Sequence, residues 1–267
     1  MKNISIYKTI KVTTDKQGVT AVIMSRPEVH NAFNAEMIVE LTSAFEALEK
    51  NPETKIIVLQ SEGESFSAGA DINWMKDMVK ATQAENQEDS LKLATLMRTI
   101  NFCGKAVIAK VQGLALGGGV GLIACCDIVI ANEQAKFGLT EAKLGLVPAV
   151  ISPYVVDAIS ARHSRRYFQT AEIFSAQKGY QMGLISEICP LEQLDEFVNK
   201  QIKFLLSTGP SAKLISKKLV HSVVSRTVPQ QKKLDNYTTQ VIASVRVSPE
   251  GQHGLKSFLD KKKPKWD

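Results

Sequence analysis

The chain is poor in the residues that build disulfide frameworks, metal centres and membrane spans. Its 267 residues include four cysteines and four histidines. Cys103, Cys125, Cys126 and Cys189 form no CxxC pair and no disulfide-like framework. Cys125 and Cys126 fall in an apolar stretch expected to be helical, where they read as buried small hydrophobes. His30, His163, His221 and His253 show no metal-ligand spacing such as HxxxH, so no metal is expected. Residues 1–6 lack the apolar core of a signal peptide. The longest uncharged stretch, around 113–126, is too short and too rich in glycine to cross a bilayer. These absences point to a reducing compartment, the cytoplasm, with no membrane partner. There is no GxSxG elbow of a serine hydrolase and no P-loop lysine after the glycines at 117–121. No GxGxxG with an acidic partner at ribose distance occurs either. The formal charge of +6 favours anionic partners. Nucleic acid is not expected among them, because arginine-rich, zinc-finger and RNP-type signals are missing.

What the chain does have is a pair of similar devices. An apolar run at 106–111 leads into Gly117-Gly118-Gly119 and then a helix-forming segment. Bare backbone N–H groups at a helix start, beside the positive end of the helix dipole, favour negative charge and suit oxyanion stabilisation. Upstream, the strand-like run 55–60 is followed by Ser65-Phe66-Ser67-Ala68-Gly69-Ala70-Asp71. The small residues let a ligand approach the main chain, and Asp71 is placed to cap a helix that starts at Ile72. If the two strands are neighbours, the amides of Ala70 and Gly118 converge on one oxygen atom.

The hydrophobic period places strands at 19–24, 55–60, 106–111 and 127–131. It places helices after Asn34, near 86–102 and from 119. Beyond Pro190 only helices are expected, near 191–206, 209–224, 229–246 and 248–260, the last opened by Ser248-Pro249. Length and 44% hydrophobic content suffice for one large domain with an appendage. The expected class is α/β, divided into a β/α core over 1–190 and a helical region over 191–267.

At its motifs the chain resembles the crotonase superfamily of enoyl-CoA hydratases and isomerases. The matching pieces are Arg26-Pro27 with Asn31-Ala32-Phe33, the stretch 66–71, the stretch 113–127, Lys136-Phe137-Gly138-Leu139-Thr140-Glu141 with Leu144-Gly145, and Glu250-Gly251 with 258–261. The resemblance covers nearly the whole chain in order and spacing. It implies a spiral β/α core, a C-terminal region that packs between subunits of a homotrimer or dimer of trimers, and an acyl-CoA substrate with no separate cofactor. It gives Glu141 the role of proton carrier and the Ala70 and Gly118 amides that of the oxyanion hole. For coenzyme A it implies Arg26 and His30 beside pantetheine and phosphates. Ala68, Ala70, Asp71, Ile72 and Asn73 would lie along the adenine side, with Phe258 and Lys261 covering adenine and ribose phosphate. Of the basic run 261–263, Lys261 is the expected contact and the other two a solvated tail.

The chain also departs from the family pattern. Where typical hydratases carry a second glutamate two positions after the glycine triplet, it has Gly121. The expectation is that this glycine leaves space open for a branched acyl chain. Where many members have a glycine-rich run after the proline, it has Pro148-Ala149-Val150-Ile151-Ser152-Pro153, with Ser152-Pro153 reading as a helix cap and first-turn proline. That run, with Arg246-Val247-Ser248-Pro249-Glu250-Gly251 and the Lys262-Lys263-Pro264-Lys265-Trp266 tail, is similar to bacterial methylglutaconyl-CoA hydratases of leucine and acyclic-terpene breakdown. The similarity implies hydration of a branched, carboxylated enoyl-CoA. The alternatives are an enoyl-CoA isomerase using the same glutamate, or a catalytically silent RNA-binding relative. Retention of Glu141 favours an enzyme.

Overall fold

A computed structural model describes residues 7–224 and 227–264. The readings made on residues 1–6 and on Lys265 and Trp266 lie outside the described residues. The first two strands, β1 (Ile10–Thr14) and β2 (Val19–Met24), form an antiparallel hairpin with Val12 opposite Val22. Helix α1 (Ala35–Lys50) then carries the chain to β3 (Ile56–Ser61), which lies parallel to β2. Asn34 opens α1 by accepting a hydrogen bond from the Met37 N–H at 2.9 Å. Met37, Ile38, Leu41, Ala44, Phe45 and Leu48 form its buried stripe, as the hydrophobic period predicts.

After β3 come α2 (Ile72–Lys80), α3 (Gln83–Asn101) and β4 (Ala106–Val111). A two-residue strand β5 (Ala115–Leu116) precedes α4 (Gly118–Ala124) and β6 (Ile128–Asn132). The stretch between that strand and the C-terminal helices contains β7 (Lys136–Gly138), α5 (Ser152–Thr170), β8 (Ile173–Ser175), α6 (Ala176–Met182) and β9 (Glu187–Cys189). The larger sheet has the order β1-β2-β3-β4-β6-β9, and all its pairs after the first hairpin are parallel. A second sheet, β5-β7-β8, is joined to the turns above the first by bridges Phe33–Ala70 and Ser67–Ala115. The chain thus winds from one layer to the other as a β/α spiral.

The central strands are apolar on both faces because both are covered. Ile57, Leu59, Val107 and Ala109 face the main core. Ile56, Val58, Ile108 and Ile130 point the other way, onto Leu194, Val198 and Ile202 of α7 (Leu194–Leu206). Helices α8 (Pro210–Val223), α9 (Val228–Val247) and α10 (Pro249–Leu259) complete the expected helical region. Helix α9 lies along α3, and α10 packs on α2 and on a 3₁₀ turn at Glu141–Leu144. Gly254 makes that last contact possible, since a Cβ there would stand 2.0 Å from the Leu144 carbonyl oxygen.

Three local expectations are corrected. Helix α4 stops at Ala124, so Cys125 is its C-terminal cap and Cys126 lies beyond it, half-buried, with its thiol donating to the Leu122 carbonyl at 3.2 Å. Ser152 is the first helical residue of α5 rather than its cap, and its hydroxyl donates to the Ala149 carbonyl at 2.7 Å. A preceding turn, closed by the Ser152 N–H on Ala149, already sets the entry of the helix. Gly121 does not open space: a Cβ there would meet Ile151 Cγ2 at 2.3 Å. By contrast, Ser248 caps α10 as expected, accepting from the Gly251 N–H at 3.1 Å.

Candidate active site

Two turns frame one cavity. In the first, the Ser67 N–H donates to Leu114 O at 3.1 Å and the Leu116 N–H to Ser67 O at 2.9 Å, tying residues 65–71 to β5. The Phe33 N–H donates to Gly69 O at 2.6 Å and the Asp71 N–H to Phe33 O at 2.8 Å. Between these bonds the Ala70 N–H has no partner among the described residues. Asp71 caps α2 through the Asn73 N–H at 2.8 Å and pairs with the Arg26 guanidinium at 2.8 Å. Burial opposes its ionisation, but the Arg26 bond and the Asn73 N–H outweigh burial and hold the carboxyl below its usual range. Arg26 also donates to the Ala32 carbonyl at 2.7 Å, so its fork clamps the entry loop to the turn.

In the second turn the Gly117 N–H donates to Gly138 O at 2.9 Å, and Gly118 opens α4 with its own N–H unpaired among the described residues. The Phe33 ring presses on Gly118, where a Cβ would lie 2.8 Å from Cε2. Phe33 therefore touches both turns and fixes one against the other. Both unpaired N–H groups belong to residues lining a cavity of about 610 Å³, and free donors on one cavity are a condition an oxyanion hole sets.

Glu141 opens the 3₁₀ turn between β7 and α5 and lines the same cavity. Its Oε1 faces the Gly117 Cα, 3.0 Å from where a Cβ would be. Its Oε2 is buried with no hydrogen-bond partner. Burial, only partly offset by a backbone hydrogen bond, pushes its pKa up to about 7. The group can thus accept and return a proton near neutrality. It is the sole carboxylate among the described lining residues. Gly121, where a second one is expected by family pattern, is covered by Ile151, so the two departures noted in the sequence are one packing unit.

Of the residues read from the sequence, Ala68, Ala70, Gly118, Glu141 and Phe258 line the cavity. Arg26 and Asp71 stand behind the first turn as its clamp. His30 bonds Ser65 Oγ through Nδ1 at 3.1 Å, and Ile72, Asn73 and Lys261 lie outside the lining. In the basic run the order is the reverse of the expected one: Lys262 and Lys263 line the mouth and Lys261 does not. Sequence reasoning missed Trp74, Ile242 and Arg246, which also line the cavity. The one available signal was the spacing of Ile242 and Arg246, four residues apart on a single helix face. Among the described residues no group of three His, Cys, Asp or Glu could hold a metal ion, and no helix is long and apolar enough to cross a membrane.

Comparison with known proteins adds the family. The model for enoyl-CoA hydratase/isomerase matches residues 14–267. A hydroxycinnamoyl-CoA hydratase-lyase of Pseudomonas fluorescens is 31% identical over 96% of this chain and 94% of its own. A crotonyl-CoA hydratase of Syntrophomonas wolfei is 28% identical over 94% and 96%. Among solved structures, an enoyl-CoA hydratase from Shewanella pealeana is 40% identical, covering 97% of this chain and 96% of that one, with a TM-score of 0.79. One from Mycobacterium avium, 27% identical, superposes with a TM-score of 0.86 over 98% and 100%.

Proposed function

Because the chain belongs to the enoyl-CoA hydratase/isomerase family, we propose that it adds water to a branched, carboxylated enoyl-CoA, 3-methylglutaconyl-CoA, using one glutamate as proton carrier. The observation that carries this reading is the buried, unpartnered Oε2 of Glu141 in the same cavity as the two unpaired N–H groups of Ala70 and Gly118. The thioester carbonyl oxygen accepts from both amides. The Glu141 carboxylate takes a proton from water, and the water oxygen bonds to the β-carbon. The π electrons move onto the thioester oxygen as an enolate, whose charge the two amides stabilise. Protonated Glu141 then gives the same proton to the α-carbon, restoring the carbonyl and the carboxylate. No second carboxylate is needed for this balance, in keeping with Glu141 as the sole carboxylate among the described lining residues.

The choice of acyl group rests on the likeness of 145–153 and 246–251 to methylglutaconyl-CoA hydratases. The basic mouth at Lys262 and Lys263, with Phe258 beside it, suits the phosphates and adenine of coenzyme A. The 191–267 region is proposed to mediate trimer formation. The exposed apolar stripe of Ile215, Leu219 and Val223 on α8 supports that assignment. A single carboxylate would also serve an isomerase, moving a proton between carbons. Assay of the purified protein with 3-methylglutaconyl-CoA, crotonyl-CoA and a 3-enoyl-CoA separates the two. Loss of conjugated thioester with the first supports the hydratase, whereas turnover of the 3-enoyl thioester alone would replace it with the isomerase.

A further inference from the structure

Two arginines lie between α3 and α9, and they are treated differently. Arg98 is paired within the chain to the buried carboxylate of Asp235. Arg246 is only 8% exposed, yet no carboxylate of the described residues comes within ion-pair distance of it. Its Nη1 donates to Ser90 Oγ at 3.0 Å and lies 3.4 Å from Asn86 Oδ1, both neutral acceptors on α3. Its Nε is buried without a partner, and no described residue accepts from Nη2. The nearby acid, Asp89, is otherwise engaged, accepting from Trp74 Nε1 at 2.6 Å and lying 3.7 Å from Lys92.

A buried guanidinium with no anion is costly, and no ion pair with a carboxylate of the described residues offsets that cost here. The unpaired edge is Nε with Nη2, whose parallel N–H groups match the two oxygens of a carboxylate. Burial without a counter-charge also draws the Arg246 pKa down to about 10, still leaving it cationic at neutral pH. Arg246 lines the reaction cavity beside Ile242, next to the apolar wall of Leu93 and Ile151. The other cations of the cavity, Lys143, Lys262 and Lys263, are exposed and therefore hydrated. They suit phosphates at the mouth rather than selection among acyl groups.

We propose that Arg246 reads a carboxylate at the far end of the acyl chain and so selects anionic enoyl-CoA thioesters over neutral ones. This rests on the hydratase reading above and supplies the cation that reading needs. Ser90 and Asn86 hold Nη1, which leaves Nε and Nη2 without an acceptor among the described residues. A neutral acyl group leaves the arginine unpaired in an apolar wall, and that unmet charge penalises the wrong substrate.

The test compares substrates that differ by the carboxylate alone. Wild-type protein should show kcat/KM at least about 10²-fold higher for 3-methylglutaconyl-CoA than for 3-methylcrotonyl-CoA. R246M should lose about 10²-fold on the first and less than about threefold on the second. R246K, which keeps the charge without the fork, should fall between. Equal losses on both substrates in a folded R246M, or no preference in the wild type, overturns the proposal. Calorimetric binding of 3-methylglutaryl-CoA and isovaleryl-CoA, saturated thioesters that cannot be hydrated, separates this inference from the reaction. A preference for the anionic thioester that vanishes in R246M supports Arg246 even if no hydration is seen. Hydration without any such preference leaves the enzyme reading intact and removes Arg246 from it. Should R246M not fold, the wild-type preference and the R246K shift decide by themselves.

Discussion

The cavity has a backbone-built side and a side-chain-built side, and they are made by different means. On the first, the donors are the main-chain N–H groups of Ala70 and Gly118, positioned by strand-like bonds, by the Arg26–Asp71 clamp and by the Phe33 ring. On the second, Glu141, Ile151 and Arg246 come from a 3₁₀ turn, the residue before α5, and α9. A main-chain donor is indifferent to residue type provided the turn can form, and in the proposed mechanism it would meet only the thioester oxygen. The side chains decide what else is recognised and where the proton goes. If the proposed roles hold, thioester binding and choice of reaction are separable in this molecule, and substitutions on the two sides should have distinct signatures.

The largest effect should come from the side-chain half. Glu141→Gln is expected to lower kcat by about 10³-fold while leaving thioester affinity within about twofold. A smaller loss than tenfold would show that the proton travels by another route. In the wild type, kcat/KM should fall as pH drops below about 7, as the carboxylate that must accept the proton becomes protonated. The stability sign is the opposite. Its folded pKa is raised above 4.5, so the folded state binds the proton more tightly and stability declines as pH rises from 4.5 to about 7. Glu141→Gln should therefore be more stable than wild type at pH 8, by up to about 3 kcal/mol, and no more stable at pH 4. Thermal unfolding at both pH values checks this.

Next comes the backbone half. Gly118→Pro deletes one donor and meets the Phe33 ring, and should reduce kcat by about 10²- to 10³-fold and, unlike Glu141→Gln, weaken thioester affinity as well. Circular dichroism must show a native fold, and near-normal turnover in a folded variant would remove Gly118 from the oxyanion hole. If both variants lowered only KM-linked terms, the division between the two sides would fail.

A third substitution crosses the boundary between the sides. Gly121→Glu drives a side chain into Ile151 and should lower Tm by about 5–10 °C through overpacking. Gly121→Glu with Ile151→Ala should recover most of that loss, because the second change vacates the clashing volume. Equal Tm for the single and double variants would show that Ile151 does not fill the position. The smallest effect belongs to the mouth. Lys262→Ala should raise KM about threefold with kcat unchanged, the increase shrinking as salt rises, and Lys261→Ala should do less. A larger effect for Lys261 would reverse the order that the lining suggests.

Much of this was readable before the fold was known, wherever the signal is local. The face of α1, the strand at 106–111 and the caps at Asn34, Asp71 and Ser248 follow from periodicity and from side chains that reach their own backbone. The two small-residue turns were visible for the same reason, since a turn writes its needs into adjacent residues. Of the stretch 151–190 only the helix start at Ser152-Pro153 was read; β8, α6 and β9 were not, because elements of three to seven residues carry too few repeats to declare a period.

By itself, then, the sequence determined the α/β class, the order of the main elements, the two turns and the glutamate that follows them. The tertiary structure alone decided that Phe33 joins the two turns, that Ile151 occupies the place of a side chain at 121, and that Lys262 rather than Lys261 reaches the mouth. It alone brought Arg246 of α9 against α3 and into the wall of the cavity, about three helical turns from the aspartate that neutralises Arg98 in the same interface. Each of these depends on which surfaces meet across tens of residues of chain, and for Arg246 and Ser90 across 156. Contacts of that kind are set by packing and charge compensation among distant segments, and no local run of residues encodes them.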